Sequence, residues 1–284
     1  MSLSSSDTPR HSEAPITVPP RPVKGGDIPT SPEPAPSDKV SLKKRIFYVV
    51  GLPVWVFLGF MLAQALILAL IAALQSAGVS FNTINPTILN SLGGAIIYGL
   101  AIVLVLGVPW VVKKRRTTKQ ELGIQRFVSW KDILITPVGM VVYLVLTSVV
   151  TMLATYFLTF VDYGQAQETG FATVASRPEY ILAFISLVIV APIAEEVLFR
   201  GYLFGKLRKY APLWLSILVT SALFGLIHFQ WNVGIDVFVL SIVLCILRVV
   251  SGSLWPSIML HMLKNGVAFY FLFINPSLLS TLGG

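Results

Sequence analysis

The chain has 284 residues, of which 55% are hydrophobic and only 12% charged, with a formal net charge of +8 and one cysteine. A soluble domain carries about twice that share of charged residues, so the composition is that of a multi-pass membrane protein. The lone Cys245 excludes a disulfide framework and a cysteine-built metal cluster, and the basic residues flank apolar segments without lining a polar face, which argues against a nucleic-acid partner.

Residues 1–42 come first. They are rich in serine, hold nine of the eighteen prolines and contain no apolar run, so a disordered cytoplasmic tail is expected there, with no cleavable signal peptide. "TVPPRP" at 17–22 has the composition of a ligand for proline-recognition modules, but a solvated tail accounts for it equally. Residues 43–284 are expected to form one transmembrane helical domain.

Seven apolar segments follow, at about 46–74, 89–112, 133–158, 179–205, 213–230, 234–251 and 254–274. Most reach the ~20 residues that cross hydrocarbon. The fifth and sixth are so close together that a bent or re-entrant element is an alternative. The predicted fold is all-α, a polytopic bundle of about seven to eight transmembrane helices. Between the second and third segments, "TTKQELGIQRFVSWKD" at 117–132 mixes polar residues with Leu, Ile, Phe and Trp, and a short interfacial helix is expected there. "KKR" at 43–45, "KKRR" at 113–116, and Lys206, Arg208 and Lys209 all fall on one side if the segments alternate. Positive residues mark the cytoplasmic side, so the expected location is a multi-pass protein of a bacterial cell membrane with its N-terminus in the cytoplasm.

The ionisable groups that stand out inside the apolar segments are Glu195, Glu196, Arg200, His228, Arg248 and His261, with Asp236 near a segment end. Such groups are costly in a bilayer and mark function by default. Asp236 and Arg248 read as boundary residues. Glu196 and Arg200 are four apart on one helix, the spacing of an ion pair, whereas Glu195 projects about 100° away and is left free for chemistry. "FGLIHF" places Phe224 and His228 four apart on the fifth segment, and "HMLKNG" does the same for His261 and Asn265 on the seventh. A carboxylate and a histidine suit water activation, and two polar side chains aimed at one spot suit a developing oxyanion.

"EEVLFRG" at 195–201, Phe224 with His228, and His261 with Asn265 resemble, in order and separation, the three motifs of the CAAX-protease and bacteriocin-processing family, also called ABI. The resemblance covers about residues 85–275, with a motif core at about 179–270. It implies an intramembrane endopeptidase related to the type II CAAX prenyl endopeptidase, acting on a peptide or membrane-protein substrate within the lipid bilayer. It implies Glu195 and His228 as the water-activating pair, His261 and Asn265 as the oxyanion site, and Glu196, Arg200 and Phe224 as their support.

Members of this family have also been described as metalloproteases. Zinc on Glu195, His228 and His261 is the corresponding alternative, but the chain lacks an "HExxH" helix, and a metal-free glutamate–histidine mechanism is expected. Two rival readings belong to other classes: a non-catalytic scaffold or bacteriocin-immunity protein, and a transporter using Glu195 as a proton site. One difficulty is geometric. At ~1.5 Å per residue, Glu195 lies roughly 16 Å from the basic end, His261 about 9 Å and His228 about 24 Å. Their meeting therefore requires a strong tilt or a helix that extends beyond the membrane.

Overall fold

A computed structural model describes residues 41–165, 167–171 and 174–278. All of them lie in one unit, Glu33–Gly284; the other unit, Met1–Pro32, and with it the expected tail through residue 40, lie outside the described residues. Each apolar segment of the sequence is a helix: α1 Leu42–Ser76, α2 Pro86–Lys113, α3 Trp130–Phe157, α4 Arg177–Leu207, α5 Leu213–Leu226, α6 Trp231–Ser251 and α7 Trp255–Ile274. No strand occurs among the described residues. The protein is an all-α polytopic membrane bundle.

Six of these helices are long and apolar enough to cross a membrane, one fewer than the lowest count expected from sequence. The exception is α5, whose 14 residues rise about 21 Å, short of the ~30 Å hydrocarbon core. Its apolar run continues to residue 230, but Phe229 adopts a left-handed backbone (φ 54°) and the chain reverses there into α6.

The bundle is apolar outside as well as inside. On α1, Val50, Val54, Leu58, Leu62 and Leu66 are exposed at four-residue intervals, a stripe suited to lipid, while Leu52, Val56, Gly59 and Ala63 face inward. Small residues let the inner faces close up. A Cβ on Gly59 would stand 2.5 Å from Val105 Cγ2 on α2, and one on Gly225 of α5 would stand 2.7 Å from the Gly234 carbonyl oxygen of α6.

The connector between α2 and α3 is only briefly helical, at Lys119–Leu122, where Thr118 and Glu121 form a capping box and Gly123 (φ 81°) ends the turn. It docks beneath the bundle, and its helix takes four of the residues 117–132 in which a short interfacial helix is expected. Glu121 receives Lys209 at 2.7 Å, Leu122 packs on Gly201, and the Gly123 carbonyl accepts the Leu254 amide at 2.8 Å. Trp255 Nε1 donates to the Arg126 carbonyl at 2.7 Å. These bonds put the starts of α3 and α7 and the ends of α2, α4 and α6 on one face with the basic clusters. On the opposite face, Asn85 caps α2 and donates to Glu179 at the start of α4 (2.8 Å), and Asn232 at the start of α6 donates to the Gln165 carbonyl (2.7 Å).

Two helices contain wide, π-helical turns next to a proline: Val103–Gly107 before Pro109 in α2, and Ile185–Val190 before Pro192 in α4. Proline has no amide hydrogen, so one carbonyl of the preceding turn is left without its helical donor. In α2 that carbonyl, Val105 O, accepts Trp55 Nε1 from α1 at 3.1 Å. In α4 the Ala191 amide bonds to Ser186 O, the next carbonyl in that ladder is Leu187 O, and Asn265 Nδ2 from α7 takes it at 2.9 Å.

Candidate active site

The helical stretch Ala191–Glu196 of α4 lies between two wide turns, Ile185–Val190 and Val197–Phe204, and carries both glutamates at its end. Irregularities of this kind recur at functional sites. The Glu196 side chain is fully buried and its Oε1 receives Arg200 Nη1 at 2.8 Å and His261 Nδ1 at 2.9 Å. Arg200, also fully buried, lays its guanidinium 4.2 Å from the centroid of the Phe224 ring, a cation–π contact in a dry site. Glu196 Oε2, Arg200 Nε and Arg200 Nη2 are buried without a hydrogen-bond partner.

Glu195 has a different environment. Its side chain keeps 12% of its exposure, Oε1 accepts a hydrogen bond from the Tyr98 hydroxyl of α2, and Oε2 stands 3.7 Å from His261 Nε2. His261 therefore lies between the two carboxylates, and its bond to the acceptor-only Glu196 places a proton on Nδ1.

Phe224 is the hub of the site. Its ring centroid is 5.1 Å from that of His228 and 5.8 Å from that of His261, both edge-on, and 4.9 Å from that of Phe199. These contacts answer the depth difficulty. Because α5 is short and His228 lies in the α5–α6 turn, the two histidine rings reach one level through Phe224. His228 is thus not on a helical face with Phe224, as the spacing suggests, but just beyond the helix end. There its Nδ1 donates to the Phe224 carbonyl at 2.7 Å, satisfying one of the carbonyls that a helix C-terminus leaves open. That bond leaves Nε2 to take a proton.

Asn265 spends one of its amide hydrogens on Leu187 O and keeps a second. Asp236, a boundary residue by its sequence position, is instead the centre of a polar network. It accepts Tyr143 at 2.6 Å, Thr147 at 2.9 Å and Lys264 at 3.1 Å. Arg248 is buried over Gly123 at the basic face. The sequence reading misses Lys264 and Tyr98. Lys264 lies within "HMLKNG" and is the signal it passes over; Tyr98 carries no motif, and its partner is 97 residues away.

Among the described residues, no three His, Cys, Asp or Glu side chains are gathered in a metal-ligand arrangement. Glu195 and His261 approach each other as two ligands do, but His228 does not complete the set, so the donors do not fit a three-ligand zinc site.

Residues 177–267 match the family described as "Type II CAAX prenyl endopeptidase Rce1-like". A protein of Escherichia coli, named "Uncharacterized 24.3 kDa protein", is 35% identical over 92 residues, 31% of this chain and 42% of that protein. "UPF0177 protein YxdF" of Lactococcus lactis subsp. lactis (strain IL1403) is 25% identical over 135 residues, 46% of this chain and 70% of that protein. The chain thus spans less than half the length of the first of these relatives. No solved structure matches.

Proposed function

From the premise that residues 177–267 belong to the Rce1-like type II CAAX endopeptidases of the CAAX-protease and bacteriocin-processing family, we propose that this protein is an intramembrane endopeptidase whose base pair is Glu195 and His228. The observation that carries the reading is the convergence of His228 and His261 on Phe224, from the α5–α6 turn and α7, with Glu195 of α4 brought to 3.7 Å from His261.

In this mechanism a water sits between Glu195 and His228 Nε2. One of them takes its proton as the oxygen attacks the scissile carbonyl carbon. The carbonyl π pair moves onto oxygen, where the second amide hydrogen of Asn265 and Nε2 of His261 receive it. As the doubly protonated ring, His261 donates to Glu196 and to the oxyanion at once. The tetrahedral centre then collapses, the C–N bond breaks, and the abstracted proton passes to the departing amine. Arg200 and Glu196 hold His261 and take no part in bond making. No metal is assigned, because the donors do not form its ligand set. The substrate is a peptide or membrane protein reached within the bilayer, and the N-terminal side with its basic clusters is placed in the cytoplasm of a bacterial cell.

Glu195→Gln is the test, in the full chain purified in detergent, with an internally quenched peptide carrying a prenylated CAAX end as first probe. The expected result is normal folding and loss of cleavage by at least about 10²- to 10⁴-fold, the range for removing a general base. Retained cleavage overturns the assignment. Metal analysis of the same active preparation belongs beside it: stoichiometric zinc whose chelation abolishes cleavage transfers the chemistry to a metal.

A further inference from the structure

Residues 177–267 hold every group of the mechanism above, yet the Glu195 carboxylate is also touched from outside that segment, by Tyr98 on α2. A glutamate side chain ends in a soft torsion, so its two oxygens exchange places unless something distinguishes them. Here Oε1 accepts the Tyr98 hydroxyl, and Oε2 is the oxygen turned to His261 Nε2 at 3.7 Å.

The phenol is itself held. The Phe60 ring of α1 lies 5.9 Å from the Tyr98 ring, centroid to centroid. Val105, seven residues and two turns further along the same face of α2, is fixed by Trp55 Nε1 on its carbonyl (3.1 Å) and by the glycine contact with Gly59. Helix α1 thus clamps α2, α2 aims Tyr98, and Tyr98 orients the carboxylate.

We propose that Tyr98 is a positioning residue for the hydrolytic site, which fixes Glu195 through Oε1 so that Oε2 is the oxygen presented to the attacking water. This rests on Glu195 as the base. It makes α1 and α2 part of the working site, although they lie outside the segment that carries the family motifs.

The test is Tyr98→Phe in the full chain, with two readouts. For the prenylated CAAX probe, kcat is expected to fall about 10- to 100-fold, the worth of one hydrogen bond to a charged group. KM should stay within about 2-fold, since an interaction made to the base and not to the substrate leaves binding alone. In the infrared difference spectrum, the carboxylate stretch assigned by its loss in Glu195→Gln is expected to shift. An unchanged kcat with an unshifted band overturns the proposal, as does a change confined to KM. If Glu195→Gln still cleaves, the base assignment fails, and the band shift alone still decides whether Tyr98 holds that carboxylate. Should Tyr98→Phe fail to fold, 3-fluorotyrosine at position 98 keeps the ring and alters only the strength of the donor. A shifted band and altered kcat support the proposal there, and no change in either overturns it.

Discussion

Carboxylates of this protein take their roles from what surrounds them. Glu195 and Glu196 are neighbours in sequence, yet one meets a tyrosine and keeps some exposure while the other is sealed beneath an arginine and a histidine. Sequence spacing separates them, because the i, i+4 relation of Glu196 to Arg200 is local and helix geometry is known in advance. Contacts between distant helices are a different matter: nothing local links Tyr98 to Glu195 or Lys264 to Asp236. Glu121 shows the same dependence outside the membrane. Burial raises its pKa, but the hydrogen bonds from Lys209 and the Thr118 amide, with the charges of Lys209 and Lys206, outweigh that and lower it from 4.5 to about 2. A folded pKa below the unfolded one stabilises above the unfolded value and loses that contribution as pH falls through the folded value. Thermal unfolding of wild type and Glu121→Gln should therefore differ at neutral pH, with the wild type more stable, and the gap should close between about pH 4.5 and about pH 2. A gap that persists at the acid end removes Glu121 as the anchor of the connector.

At the scale of elements, the two membrane prolines explain contacts that the family motifs alone do not. Pro192 withholds an amide hydrogen, Leu187 O is left over, and Asn265 supplies the missing donor from α7. Asn265 therefore has a structural duty beside any catalytic one, which the "HMLKNG" spacing does not reveal. Asn265→Ala should cost about 1–3 kcal/mol of stability by leaving a half-buried acceptor unpaired within the bundle. Adding Pro192→Ala restores a backbone donor nearby. The double variant should recover much of that stability in thermal unfolding while cleavage stays impaired. If the double variant is no more stable than Asn265→Ala, the proline does not set this contact.

For the whole molecule, the all-α bundle was legible because twenty-odd apolar residues in a row have few structural outcomes in lipid. The reversal after α5 was less so: no proline or asparagine signals a turn between Leu226 and Gln230, and the left-handed Phe229 marks it. The path of seven helices brings the three basic clusters to one face and the described residues between α3 and α4 to the other. With the basic face inside, a cysteine introduced at Thr117 should be shielded from a membrane-impermeant maleimide in intact cells, and one at Asp162 should react. The native Cys245 is fully buried and contributes no background. The opposite labelling pattern inverts the orientation.

The wide turns of α4 also determine which changes in length the chain tolerates. Each is a helix carrying surplus residue, and removing one residue anywhere within 185–190 lets the ladder close as an ordinary helix. Five residues across the wide turn and four across an ordinary α-turn cover nearly the same angle, so the closed helix keeps everything beyond it nearly in phase with the half before it. Glu195 then still faces Tyr98 and His261, whereas one residue added between 191 and 194, within the ordinary helical stretch, turns it by about 100°. A single-codon deletion within 185–190 therefore leaves the phase of α4 intact, as a deletion in the connecting loops does, whereas one codon added just before Glu195 leaves every motif residue present and takes the site apart.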